Sequence, residues 1–332
     1  MDSKMRSWGG VMVNLSWDKV DKHEKLTPRD HAIAGGVSGL VTRCFLQPLD
    51  VVKIRFQLQV EPIARRGGGL YQGVIQCIIK IVRTEGPSAL WKGLIPAQAL
   101  SVSYGMGQFA SYAYLTKVAR DHNLGGKYLS HGVCGGLAGT CGTLVSFPFD
   151  VVRTRLVAQG TPKRYSGLVD AFNKMLRQEG MLSLWRGLVP TIGMTAPYTG
   201  LIFFFYNVFH SVASKLFGEE SRVPWLSISA VSGVAAGASA KTSVYPLDVL
   251  KKRLQIRGFE TARKQFGKVV VYPSAWKCMV QITLEEGILA WFKGLWPSML
   301  KSGCASGSIF VVYEATCLIL NHVHDDKKNN DS

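Results

Sequence analysis

Pro48-Leu49-Asp50-Val51-Val52-Lys53-Ile54-Arg55 returns as Pro148-Phe149-Asp150-Val151-Val152-Arg153-Thr154-Arg155, and again as Pro246-Leu247-Asp248-Val249-Leu250-Lys251-Lys252-Arg253. The prolines stand 100 and 98 residues apart, so the chain is a threefold repeat of units of roughly a hundred residues. A second phrase follows each of these. It reads Glu85-Gly86 with Trp91-Lys92-Gly93 and Pro96, then Glu179-Gly180 with Trp185-Arg186-Gly187 and Pro190, then Glu286-Gly287 with Phe292-Lys293-Gly294 and Pro297. Two linked motifs in triplicate and in one order are not a product of chance.

Working outward, the 332 residues would by length alone suggest about two soluble domains, but a third of a bundle cannot bury its own faces. Hydrophobic residues make up 47% of the chain, and no clean run of 18 apolar residues occurs. Six interrupted apolar stretches are present instead: 32–56, 94–116, 128–158, 189–216, 225–254 and 296–320. A bundle with a wet centre reads this way, because inward faces keep polar groups that lipid forbids. The net charge of +17 raises nucleic acid as a partner, yet the basic residues are scattered over the repeated motifs and the connecting segments. Basic loops beside membrane spans point to orientation by positive charge and to anionic lipid, so no nucleic acid is expected. The seven cysteines lack metal or disulfide spacing and read as small buried hydrophobes. No Gly-x-Ser-x-Gly, phosphate-binding loop or catalytic constellation occurs, so neither an enzyme nor a metal site is expected.

Several readings follow from the repeats themselves. Gly35/Gly39, Gly135/Gly139, Gly233/Gly237 and Gly303/Gly307 form small-x-x-x-small pairs that would let helices approach closely. Each signature proline lies inside an odd-numbered helix, where it removes a backbone hydrogen bond. Asp50, Asp150 and Asp248 stand three residues before Lys53, Arg153 and Lys251, a spacing that allows an ion pair within each helix. Residues shared by all repeats serve the common frame, whereas charges that break the symmetry serve a cargo that is not threefold. Five residues before the prolines stand Arg43, Thr143 and Lys241, and the even helices contribute Leu100, Met194-Thr195 and Lys301. If these positions line one cavity, as the family resemblance drawn below implies, Arg43, Lys241 and Lys301 place three unpaired cations around it, suited to a multiply charged anion such as a pyrophosphate. Tyr104, Gln108, Tyr198 and Met194 offer a wall for a ring; for the two tyrosines, ordinary helix packing is an equal alternative.

These motifs resemble the mitochondrial carrier family, over about residues 30 to 320. The resemblance implies an all-α membrane protein of six transmembrane helices in three pseudo-symmetric repeats, with short amphipathic matrix helices. The divisions are a polar N-terminal segment (1–27), repeats at 28–122, 123–220 and 221–320, and a disordered tail (321–332). It also implies residence in the mitochondrial inner membrane, with both termini toward the intermembrane space; no cleaved presequence is expected, because residues 1–27 carry Asp2, Asp18, Asp21 and Glu24 with one arginine, Arg6. Each motif aspartate would pair across to the next repeat: Asp50 with Arg153, Asp150 with Lys251 and Asp248 with Lys53, closing a matrix gate. Gln57 and Gln255 look like the family's glutamine braces, and repeat two, with Val157, lacks one. The outer gate is eroded to Tyr112-Ala113 with Thr116, Tyr206-Asn207 with His210, and Tyr313-Glu314 with Cys317. Gly73, Gly93, Gly167, Gly187 and Gly294 match the family's cardiolipin sites, with serine (Ser274) in the remaining place. Finally, 53–59, 85–98 and the insertion around Gly258-Phe259-Glu260 are similar to the family's thiamine pyrophosphate-transporting members. That implies thiamine pyrophosphate uptake in exchange for nucleotides, while the three cations would suit coenzyme A or adenine nucleotides equally; a monomer is expected because three repeats already close the pseudo-threefold bundle. A membrane scaffold that transports nothing is the reading outside this class.

Overall fold

The computed structural model describes residues 27–62, 69–121, 127–160, 162–217, 225–266, 270–272 and 274–330. Each repeat gives a long helix, a short one and a second long one: α1 (Pro28–Leu58), α2 (Val74–Glu85), α3 (Leu94–Asp121); α4 (Lys127–Ala158), α5 (Leu168–Glu179), α6 (Leu188–Phe217); α7 (Trp225–Gln255), α8 (Ala275–Gln281), α9 (Leu295–Asn330). At 1.5 Å per residue a helix like α1 reaches about 46 Å, more than the roughly 30 Å of a bilayer's apolar core. Three stretches, Gly132–Ala158, Met181–Lys215 and Ile288–Asn321, are apolar enough to cross a membrane by length and composition alone. The other long helices, α1, α3 and α7, carry too many polar residues for that measure. Large apolar side chains such as Phe109, Phe203 and Val234 nevertheless stand exposed on the long helices, where lipid would cover them.

Pro48, Pro148 and Pro246 each lie inside a helix that continues to Leu58, Ala158 or Gln255, so the lost backbone bond does not end it. The short helices are one-sided: Cys77 and Ile81 of α2, and Ala171 and Met175 of α5, are buried at i, i+4 spacing.

Two compact units are distinguished, residues 1–46 with 302–332, and Gln47–Lys301. In the first, His31 Nδ1 lies 2.9 Å from the Tyr313 hydroxyl, and Ala34 and Cys317 are buried with Tyr313 and Leu320 against them. In the second, the main core gathers where α1, α4 and α7 end: Val51, Val52, Val151, Val152, Ile81, Met175 and Phe259 belong to one buried cluster. There α3 packs on α4, and α6 on α7.

Three expectations are corrected here. The last helix runs to Asn330, through most of the 321–332 stretch expected to be a disordered tail. Within each unit, a Cβ built on Gly35, Gly39, Gly135, Gly233, Gly237, Gly303 or Gly307 meets nothing within 4 Å and one on Gly139 meets only the Tyr104 hydroxyl at 3.8 Å, so no close backbone approach occurs at these pairs among the described residues of a unit. The close approach is at Gly107 and Gly142 instead, where a Cβ on Gly142 would fall 2.9 Å from the Tyr104 carbonyl oxygen. Cys44 and Cys304 are exposed, unlike Cys77, Cys134, Cys278 and Cys317. The N-terminal segment lies outside the described residues up to residue 26.

Candidate functional site

Each motif aspartate points across to the neighbouring repeat rather than along its own helix. Asp50 pairs with Arg153, Asp150 with Lys251 at 2.8 Å and Asp248 with Lys53 at 2.6 Å. The three pairs close a ring that links α1 to α4, α4 to α7 and α7 back to α1. All six side chains are largely buried, so removing one partner strands the other where solvent cannot compensate it.

The surroundings of the three carboxylates differ. Gln57 Nε2 donates to Asp248 at 3.0 Å and to the Tyr245 hydroxyl at 3.1 Å. Gln255 Nε2 donates to Asp150 at 2.8 Å. Val157 stands at the equivalent place in repeat two, and Asp50 takes Lys301 instead, 2.6 Å from Oδ1 and 2.8 Å from Oδ2. Lys301 is therefore not one of three unpaired cations, which corrects the sequence reading: it belongs to an ion triplet with Asp50 and Arg153. Lys252, which sequence reasoning passed over, donates to Asp150 (2.9 Å), Thr154 (3.0 Å) and Gln255 (3.0 Å). The doubled lysine at 251–252 was its available signal, because the other repeats have Ile54 and Thr154 there.

These groups line a cavity of about 300 Å³, together with Leu100, Tyr104, Thr143, Ser146, Phe147 and Thr191. Its walls bear five cations (Lys53, Arg153, Lys251, Lys252, Lys301) against three carboxylates, a formal surplus of two positive charges. Of the expected cargo residues, Lys301 and Tyr104 face this cavity. Lys241, Gln108, Met194, Thr195 and Tyr198 do not line it. Lys241 Nζ donates to the Ser298 carbonyl at 2.7 Å, so it too has a partner. Gln108 packs at the Gly142 crossing, and the Thr195 hydroxyl donates to the Thr191 carbonyl at 3.0 Å. Arg43 belongs to the first unit and is half-buried.

Beyond the aspartates toward the helix ends lies a second ring that sequence reasoning missed. Arg55 forks onto Glu85 (2.5 and 2.9 Å), Arg155 onto Glu179 (2.5 and 2.9 Å), and Arg253 onto Glu286 in the same way. The Nε of each arginine donates to a carbonyl of the next repeat: Val157 at 3.2 Å, Gln255 at 3.1 Å and Gln57 at 3.2 Å. Each glutamate holds a second cation, Lys92, Arg186 or Lys293. Burial works against charge on Glu85 and Glu179, but their arginines and second cations hold both carboxyls below the ordinary carboxylate value. The repeated Arg and Glu-Gly positions were visible in the sequence; their contact was not.

The glycines of the second phrase pack instead against the basic residues of the aspartate ring. Gly187 has φ +90°, and a Cβ there would lie 2.9 Å from the Lys251 carbonyl oxygen; Gly294, at φ +84°, would meet Lys53 at 3.0 Å. Gly93 likewise abuts Arg153 and Val157. Gly73 and Gly167 are different: they precede α2 and α5, and a Cβ on either would meet nothing within 4 Å, which leaves those helix N-termini open. At α8 the Ser274 hydroxyl accepts from the Lys277 amide at 3.2 Å and occupies one such donor itself.

Of the eroded outer positions, Tyr206 packs on His210 with ring centres 5.6 Å apart, and the Thr116 hydroxyl donates to the Tyr112 carbonyl at 2.7 Å.

A family model described as mitochondrial carrier protein matches residues 24–123, 125–216 and 224–323. The chain is 42% identical to a mitochondrial thiamine pyrophosphate carrier of Bos taurus, covering 88% of this chain and 93% of the relative. It is 42% identical to the one of Homo sapiens (87% and 92%). It is 35% identical to mitochondrial thiamine pyrophosphate carrier 1 of Neosartorya fischeri (89% and 94%).

Proposed function

The chain belongs to the mitochondrial carrier family, a family of multi-pass inner-membrane transporters, and from that premise we propose that its cargo is thiamine pyrophosphate. The observation that carries this reading is the cavity's surplus of two positive charges, held by Lys301 and Lys252 in addition to the three symmetric pairs. A pyrophosphate answers such a surplus, and Tyr104 and Phe147 offer the ring an aromatic wall. An adenine nucleotide or coenzyme A would satisfy the same charge; the cargo named for the relatives favours thiamine pyrophosphate. A scaffold that moves nothing would have no use for the surplus.

We propose alternating access as the mechanism. The aspartate ring is the gate on the matrix side, a reading supported by its three formed cross-repeat pairs, and cargo binding offsets the cost of parting it. A cargo that bound both states equally would shift nothing, so Lys301 and Lys252 must change partners between states. Exchange for nucleotides follows because an empty, positively charged cavity is costly to reorient. The protein works as a monomer, with both termini toward the intermembrane space. Cardiolipin would lie at the N-termini of α2 and α5, beside Gly73 and Gly167, whereas Gly93, Gly187 and Gly294 are occupied with inter-repeat packing.

The test is uptake of labelled thiamine pyrophosphate by cardiolipin-containing liposomes that hold the purified protein and are preloaded with nucleotide. Saturable uptake is expected, reduced at least about tenfold by Lys301→Gln, the scale of one lost charge-assisted contact. Uptake of coenzyme A or ADP in its place would overturn the cargo. Equal uptake without preloading would overturn exchange.

A further inference from the structure

The third repeat carries a stretch between α7 and α8 that its counterparts do not match. Repeat two passes from Gln159 to Tyr165, and the two residues clasp each other: Gln159 Nε2 donates to the Tyr165 carbonyl, and the Tyr165 amide donates to Gln159 Oε1, each at 3.0 Å. Gln59 and Tyr71 do the same in repeat one. Repeat three has Arg257 in that place, and the chain turns away through Gly258 (φ +82°) into a short helix, Glu260–Phe266. The turn favours glycine because its φ is one that other residues rarely adopt; a Cβ would also displace the side-chain tips of Arg186 and Glu179, each 2.7 Å away.

From there the segment reaches both other repeats. Phe259 is fully buried and stacks on Tyr165, with ring centres 5.0 Å apart at 12°. The Ala262 carbonyl accepts from the Gly160 amide at 3.1 Å, just beyond the end of α4. Arg263 is 5% exposed, and its Nη2 donates at 2.7 Å to the carbonyl of Leu58, the last residue of α1. The Phe266 ring lies 4.2 Å from the Arg55 guanidinium carbon. A single piece of repeat three thus grips the ends of α1 and α4 while continuing directly from α7.

We infer that Gly258–Phe266 is a strap across the three helix ends, which holds the gate end shut and has to let go for the carrier to open there. The inference rests on the gate reading above. The gate aspartates stand about two helical turns before the ends that the strap holds, and a helix is stiff over that distance. Parting an aspartate from its partner on the next helix therefore pulls on the strap. The grip is also suited to release: among the described residues the buried Arg263 guanidinium donates to the Leu58 carbonyl, and its Nε has no hydrogen-bond partner. Such a contact is specific without being strong.

Limited trypsin digestion of the purified full-length protein, without cargo, tests the strap. Arg263 is too buried to enter a protease while the gate is shut. Opening the gate by Asp150→Asn is expected to speed cleavage after Arg263 at least about fivefold relative to cleavage after exposed Lys163, because cutting tracks the open population. An unchanged ratio overturns the strap, whatever the cargo proves to be. Phe259→Leu keeps apolar volume but loses the stack on Tyr165, so it is expected to raise maximal exchange turnover about 2- to 10-fold. A folded Phe259→Leu carrier that exchanges no faster overturns the strap while leaving the transport reading intact, and if that variant does not fold, the digestion alone decides.

Discussion

Two rings of charge lie near the ends of α1, α4 and α7, and they are built on different terms. The arginine ring is the same three times over: Arg55, Arg155 and Arg253 each fork onto a glutamate of their own repeat and donate to a carbonyl of the next. The aspartate ring repeats its three pairs but not their company. Asp50 shares Arg153 with Lys301, Asp150 shares Lys251 with Lys252, and Asp248 has Lys53 with the Gln57 brace. Equal parts fully satisfied make a frame. Unequal parts around a cavity leave charge that a ligand can claim, which is why the proposed cargo site is placed where the symmetry departs.

The contrast breaks most sharply at Arg155, whose side chain is fully buried. Arg155→Ala takes the forked partner from Glu179, leaving it Arg186 alone, and releases the Gln255 carbonyl; the expected loss is about 3 kcal/mol in thermal or denaturant unfolding of the detergent-solubilised protein, the low end for breaking a buried pair. Arg155→Lys should recover little, because an ammonium cannot fork. A variant as stable as the parent would mean that this ring is no frame.

Within the aspartate ring the prediction concerns inequality. Asp150→Asn deprives two lysines of their carboxylate and Asp248→Asn only one, so the former should cost about 1.5–3 kcal/mol more, the worth of a further hydrogen bond to a charged group. Equal shifts in unfolding would remove Lys252 from the argument. The smallest effect should come from restoring symmetry. Val157→Gln supplies the missing brace at Asp50, and Gln57 and Gln255 already fit beside Gly294 and Gly187 in the equivalent geometry. A gain of about 0.5–1.5 kcal/mol in the closed form is expected, read as a higher unfolding midpoint together with slower exchange. A faster exchanger would place the brace outside the gate.

Much of this was legible because the chain repeats. Three copies of Pro-x-Asp-x-x-basic-x-Arg gave the helix pattern and the aspartates, and similarity to the family supplied their cross-repeat partners. The substitution at Val157 was readable as a missing brace. The cargo site was read less well. Lys241 and Lys301 stood out as cations inside apolar helices, but their partners, the Ser298 carbonyl and Asp50, are 57 and 251 positions away. The glycine pairs were read as helix seats on spacing alone. Spacing tells which residues share a face of one helix, but not what that face meets.

The sequence by itself determined the threefold plan, the six long helices and the residues the repeats hold in common, because periodicity and local propensity are written in neighbouring positions. Only the tertiary structure decided which carboxylate Lys301 answers, that Lys252 doubles the charge on Asp150, and that a stretch of repeat three binds the ends of the other two. Those contacts join residues far apart in the chain, and their energies depend on burial and on distances of a few ångströms, which no local pattern encodes.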